Sequence, residues 1–445
     1  MSLLLSSHLY HTLPYASLLQ QLSQLLQTLS PLWRLRSFDC RQLPWQTAFP
    51  NLADVVLQLD EDALAKTDAC QQQLLHRLWP ALHQDLVAQG LSVEQLDNLA
   101  QLLALTLPQS GSHTSQTHQV SRQDNQHGLD EQLRPHFSAH IKGRKWQQIT
   151  SFAAALPSET TRGLLLEWCA GKGHLGRLIC QSRQVPVVSL EWQQALCRDG
   201  QDFAHRWQLP QQFICADAFA PPAQVMDGVQ HAVALHACGE LHTSLLTRAA
   251  ASSVAHISIS PCCYHLIRTE FYQPLSKVAQ QHDLQLNRQE LQLPLQQSVV
   301  SSSRDCERRQ QEMIWRLGFD SLQRVVRQQD NYLPLPAVRN AQLSGSFAEY
   351  CQTVAAFKQL PLTLPDGTEV TDFTPWLQAG AARLTLVRQL DLVAHLLRAP
   401  LEHYLLLDRL CFLIEQGYQT EISCFCDTSV TPRNALIQAS LPQTV

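Results

Sequence analysis

Leu18, Leu19, Leu22, Leu25, Leu26 and Leu29 recur at steps of three and four, with Gln and Ser between them. That period puts the leucines on one helix face and the amides on the other. Leu74, Leu75, Leu78, Leu82 and Leu86 repeat the pattern. Ser92 followed by Gln95 has the spacing of a capping box that opens a third helix. After residue 128 the pattern changes: the apolar runs "GLLLEWCA", "VPVVSLEW", "QFICADAF", "HAVALHACG" and "VAHISISPCCYH" alternate with helical stretches such as "GHLGRLICQS". That alternation predicts a parallel sheet covered by helices. Residues 266–395 are mixed and mostly helical, with Pro-rich breaks near 333–336 and 361–365. "LEHYLLLDRLCFLIEQG" predicts a strong helix closed by Gly417. "YQTEISCF" and "NALIQAS" predict an antiparallel pair at one end of the sheet.

The chain then divides into a helical N-terminal domain (1–107), a polar linker (108–128) rich in Ser, Gln, His and Thr, and an α/β core (129–290). A mostly helical insertion (291–395) follows, and then the last core helix with its strand pair (396–445). Net charge is -5 at 16% charged residues, so no global basic field points to nucleic acid. Fourteen cysteines would suggest disulfides in a secreted protein, but "MSLLLSSHLYHTLPY" lacks a basic leader and is broken by His8, His11 and Pro14. No apolar run approaches the ~18 residues of a membrane span. A cytoplasmic address with reduced, packed cysteines is the expectation.

The chemistry concentrates in "LEWCAGKGHLGRLI", residues 166–179. Gly171, Gly173 and Gly176 have the G-x-G-x-x-G spacing that seats a dinucleotide pyrophosphate. Glu167, Cys169, Gly171 and Gly173 equally suit a loop for S-adenosylmethionine. A pyrophosphate wants backbone amides and no acid, whereas a sulfonium and an amino group want one. A unit charge pair at 4 Å is worth about 4 kcal/mol at an effective dielectric near 20, which favours the cationic methyl donor. Glu191 ends the second strand, where an acid takes ribose hydroxyls of either cofactor. Asp217 follows the third and is placed for an adenine amino group. His174 opens the helix after the loop and joins the expected cofactor contacts, as does His236.

"GKGHLGRLI", "LHACGELH", "SPCCYH", "LLLDRLCFLIEQG" and "TPRN" together resemble a family of class I methyltransferases that includes methyltransferase-like proteins with GKGHLS, LHxCG, PCCYH and LLDR segments. The tRNA ribose 2′-O-methyltransferases are a more distant likeness. The resemblance covers roughly 130–270 and 395–440. It implies a Rossmann-like class I methyltransferase sheet, here with a helical N-terminal domain and a helical insertion. It also implies S-adenosylmethionine as cofactor. Cys169 stands where most such loops have glycine, which is tolerable if its φ stays negative.

Ligands of such sheets collect beyond the carboxyl ends of the strands. His236 and His265 can act as general bases, and Tyr264 can hydrogen-bond or stack on the acceptor. Pro261, Cys262 and Cys263 line the expected acceptor pocket. Adjacent Cys262 and Cys263 look poorly placed to share one ion, so no metal is expected. Cys262 as a nucleophile toward a pyrimidine ring is a narrower reading. Lys142, Arg144 and Lys145 beside Trp146 can contact phosphates and stack a base. The expected activity is transfer of a methyl group to RNA or protein. A nicotinamide-dependent oxidoreductase using the same glycines, and an inactive methyltransferase-fold scaffold, are the alternatives. Asp408 and Arg409, inside an apolar helix, suggest an internal ion pair or structural contact.

Overall fold

The computed structural model describes residues 3–109, 134–157, 163–296, 303–335 and 343–442. Residues 110–128 of the expected linker lie outside them. The chain divides into two compact units. One comprises Met1–Leu4, Thr28–Ala104 and Val300–Leu397; the other comprises Leu5–Gln27, Leu105–Val299 and Arg398–Val445.

In the first unit the helical N-terminal stretch and the insertion pack together. The helix Ser303–Arg327 carries Trp315, Phe319 and Leu322 into a core with Phe347, Tyr350 and Cys351. Asp320, 1% exposed, accepts from Arg324 at 2.9 Å and from Arg383 at 2.7 Å. Arg383 also donates to the carbonyl of Phe38, tying the insertion to the N-terminal stretch. The helix Val93–Leu103 begins with the Ser92/Gln95 capping box read from the sequence.

The second unit is built on seven strands: β1 (Leu164–Trp168), β2 (Val187–Glu191), β3 (Gln211–Cys215), β4 (Val229–Cys238), β5 (His256–Cys262), β6 (Gln419–Cys424) and β7 (Ala435–Ser440). Their order is β3-β2-β1-β4-β5-β7-β6. β1 to β5 pair in parallel, whereas β7 runs antiparallel between β5 and β6. The five apolar runs and the C-terminal pair therefore form the expected α/β sheet. The helices that matter to the site are α1 (Tyr15–Thr28), α2 (Gly143–Ala155), α3 (His174–Arg183), α4 (Gln194–Arg206), α5 (Glu240–Ala251) and α6 (Arg398–Glu415). Gly417, at φ 88°, ends α6 as its glycine cap.

Trp146 on α2 is 9% exposed and packs with Phe152, Leu175 and Leu178, so the tryptophan expected to stack a base is a core residue. Its helix is amphipathic, and burial of one face outweighs the indole's usefulness at the surface. On α6, Asp408 and Arg409 are both buried but do not pair with each other. Asp408 accepts from the Leu275 and Ser276 amides at 2.9 and 2.8 Å and from the hydroxyls of Ser276 and Tyr272. Arg409 donates to His242 at 2.9 Å and to the Tyr272 oxygen at 2.8 Å. Among the described residues no helix is long and apolar enough to cross a membrane.

Candidate functional site

β1 delivers the chain into the glycine loop, and the three glycines do different work. An added Cβ at Gly171, φ 59°, would meet nothing within 4 Å, so this face of the loop is open. At Gly173, φ 66°, it would lie 2.4 Å from Gln211 and 2.5 Å from Phe213. At Gly176 it would lie 2.5 Å from the Glu167 carboxylate and 3.0 Å from Val187. Gly173 and Gly176 thus let α3 sit close against the sheet, and Gly171 leaves room for a ligand.

Glu167 does not present its carboxylate to that open face. It is 4% exposed and accepts from Ser189 at 2.7 Å, and the amides of Leu175 and Gly176 at the start of α3 support it from the other side. Burial raises its pKa from 4.5 to about 7, against the lowering effect of those donors and of Arg177. The acid expected to greet a cationic cofactor is instead the peg beneath the loop. Free amides at a helix start are strong donors, and they claim the carboxylate first.

Glu191 takes over the open side. One carboxylate oxygen accepts from the Gly171 amide at 3.0 Å, and the other accepts from the Gln193 amide at 3.0 Å. Each oxygen retains a lone pair for a further donor. Asp217 is exposed after β3, its side chain held in an Asx turn by the Phe219 amide at 2.9 Å. Cys169 sits among these acids: burial, then the charges of Glu191, Cys238 and Asp217, push its thiol up to about 12. Its φ is 57°, so the negative φ expected for this non-glycine position does not hold. The loop needs the left-handed turn, and the small side chain bears the strain. His174, first residue of α3, is pushed down to about 3 by burial and by Arg177, Lys145 and Lys172, so its ring is neutral.

On the other side of the crevice β4 carries an irregularity between Leu235 and Cys238. It places His236 at φ 71° with Nε2 3.0 Å from the amide oxygen of Gln148 on α2. Lys145 also acts on both His174 and His236, and Lys142, Arg144 and Lys145 are all exposed at the start of α2. After β5, Cys263 adopts φ 52°. The sulfur atoms of Cys238, Cys262 and Cys263 lie within 4.8 Å of one another, with Cys238 and Cys262 3.6 Å apart. Consecutive residues of a regular strand point to opposite faces, which is why Cys262 and Cys263 look unable to meet. The left-handed turn at Cys263 breaks that alternation. Cys262 is 4% exposed and its thiol is pushed up by its two neighbours, which removes it as a nucleophile.

Tyr264 is 2% exposed, with its hydroxyl 3.3 Å from Glu402 and the Arg409 guanidinium 5.2 Å from its ring, so it does not stack an acceptor. Pro261 is buried within β5, away from any acceptor. His265 is half-buried, with Nδ1 unpartnered among the described residues.

Residues 144–270, from the first turn of α2 past the end of β5, match a protein-family profile described as a methyltransferase domain. This stretch is similar to methyltransferase domains. No curated protein matches the chain. The matched stretch holds the glycine loop, both acids after it, His236 and the three clustered thiols. The matched profile is that of a methyltransferase and not of an oxidoreductase.

Sequence reasoning missed several residues of this crevice. Trp192, next to Glu191, is 70% exposed, a rare state for a large aromatic ring. Gln148 fixes His236. Arg433, in the "TPRN" motif after β6, acts on His236, Cys238, Cys263 and Glu402. The doublet Glu-Trp at a strand end and the "TPRN" motif around Arg433 were visible signals; Gln148 carried none, because only the fold brings it near.

Proposed function

We propose that the chain transfers a methyl group from S-adenosylmethionine to RNA. The observation that carries the cofactor reading is the Gly171 amide bonded to Glu191 beside an open loop face. The carboxylate would accept from the ribose hydroxyls, and its charge suits a cationic donor. The antiparallel β7 supports the same reading, since the dinucleotide fold runs 3-2-1-4-5-6. Asp217 would take the adenine amino group. His236, neutral because burial and Lys145 lower its pKa, would receive the proton of a hydroxyl or amino acceptor. In-line displacement at the methyl carbon then depends on holding donor and acceptor in register.

The exposed strip Lys142, Arg144 and Lys145, of which Lys145 acts on His236, favours a phosphate-bearing acceptor over a protein. The test is a lysate from cells lacking the protein, incubated with purified chain and radioactive methyl donor and split into RNA, protein and small molecules. Label in RNA supports the proposal. Label in protein alone overturns the acceptor, and bound cofactor with no label anywhere makes the chain a scaffold.

Trp192 would stack on the adenine of the bound donor. Base stacking on an aromatic ring is worth about 1 kcal/mol or more, so Trp192→Ala should weaken S-adenosylhomocysteine binding about fivefold. Calorimetry on the purified chain measures it; an unchanged Kd would put the adenine elsewhere.

A further inference from the structure

We propose that Cys238, Cys262 and Cys263 form a three-thiolate site for a soft divalent cation, with Zn2+ the first choice. In a tetrahedral zinc site with Zn–S near 2.3 Å, the sulfur atoms are roughly 3.8 Å apart. The Cys238 and Cys262 sulfurs are 3.6 Å apart, and all three lie within 4.8 Å of one another. The trio thus approximates one face of a tetrahedron. Thiolates select zinc or other thiophilic ions and leave magnesium and calcium to oxygen ligands.

Two further observations favour a ligand over plain packing. Convergence of the thiols depends on Cys263 at φ 52°, a strained conformation for a non-glycine residue. Three small side chains in contact repay that strain poorly, whereas a bound ion would repay it. Arg433 acts electrostatically on both Cys238 and Cys263, and its buried Nε has no partner among the described residues. Three thiolates around a dication leave one negative charge, which a nearby guanidinium offsets. Cys238 and Cys263 are half-buried rather than sealed, so the fourth position is open to an exchangeable ligand, as in catalytic rather than structural zinc sites. Cys238 and Cys262 end β4 and β5 and Cys263 follows β5, near His236, so that ligand would lie near the acceptor.

The inference is independent of methyl transfer, because its test reads the metal alone. The full chain is purified under thiol reductant without chelator, its zinc is measured by mass spectrometry, and the stripped protein is titrated with Co2+. The expected result is one zinc per chain and an intense tetrahedral cobalt spectrum with sulfur charge-transfer absorption. Cys238→Ser and Cys263→Ser should lower retained zinc at least roughly tenfold, the scale on which even an outer partner's loss weakens a metal site. Cys70→Ser, at an exposed thiol in the other unit, should retain it. Zinc-free wild-type protein with a weak octahedral cobalt spectrum would overturn the site, and that measurement needs no variant to fold. A Cys238–Cys262 disulfide found in the reduced preparation would also overturn it. Either failure leaves the methyl-transfer proposal standing.

Discussion

Glu191→Ala is expected to weaken S-adenosylhomocysteine binding by about 100-fold or more, with turnover falling in step at subsaturating donor. Hydrogen bonds to a charged group are worth about 1.5–3 kcal/mol each, and two ribose hydroxyls make two of them. Loss of about 3 kcal/mol is more than two decades in Kd. A second effect adds to this, because the same carboxylate holds the Gly171 and Gln193 amides. Removing it frees the open side of the loop as well as the ribose contact. Glu191→Gln separates the two contributions: its amide oxygen can still accept from one partner, so it should bind between the wild type and the alanine variant. Calorimetric titration provides the comparison. Binding by Glu191→Ala within threefold of the wild type would remove Glu191 from the ribose and take the cofactor geometry with it.

The sheet was legible because its signal is local. Runs such as "VPVVSLEW" and "HAVALHACG" carry their own apolar pattern; β2 lies within the first, and β4 begins two residues before the second. The antiparallel β6–β7 pair and the Ser92 capping box were also readable, since the one joins two apolar runs through a short connection and the other depends on residues three positions apart. The union of the N-terminal stretch with the insertion was not. It depends on contacts such as Arg383 with the Phe38 carbonyl, which are 345 positions apart and have no periodicity to reveal them.

At the site, residue types could be picked from sequence, but the directions of their side chains could not. Glu167 and Glu191 both end strands before a loop, yet one caps α3 from below and the other faces the opening. Nothing in either tripeptide distinguishes them; the donors around each carboxylate do. Backbone sign was equally hidden. Positive φ at Cys169, His236 and Cys263 sets the loop turn, re-aims the imidazole and gathers the thiols, and none of these positions is a glycine that would have announced it.

Glu167 therefore makes a sharper prediction about stability than about cofactor choice. Its carboxyl titrates near 4.5 when the chain is unfolded and at about 7 in the fold, raised chiefly by burial. Below pH 4.5 both states hold the proton and its favourable contribution is complete. Between the two values the folded state keeps a proton that the unfolded state releases, so stability falls as pH rises, and the loss is complete above pH 7. The gap corresponds to about 3 kcal/mol. Glu167→Gln has no proton to lose there. It will also misplace an amide group against the Leu175 and Gly176 donors, a cost that does not vary with pH. The readout is thus the slope rather than the absolute value: in urea unfolding of the cofactor-free chain, the variant should gain on the wild type by about 3 kcal/mol between pH 4.5 and pH 8. A difference that stays flat, or that moves toward the wild type with rising pH, would mean that Arg177 and the α3 amides keep the carboxylate ionised. In that case the charge first inferred beneath the glycine loop would be present at neutral pH after all.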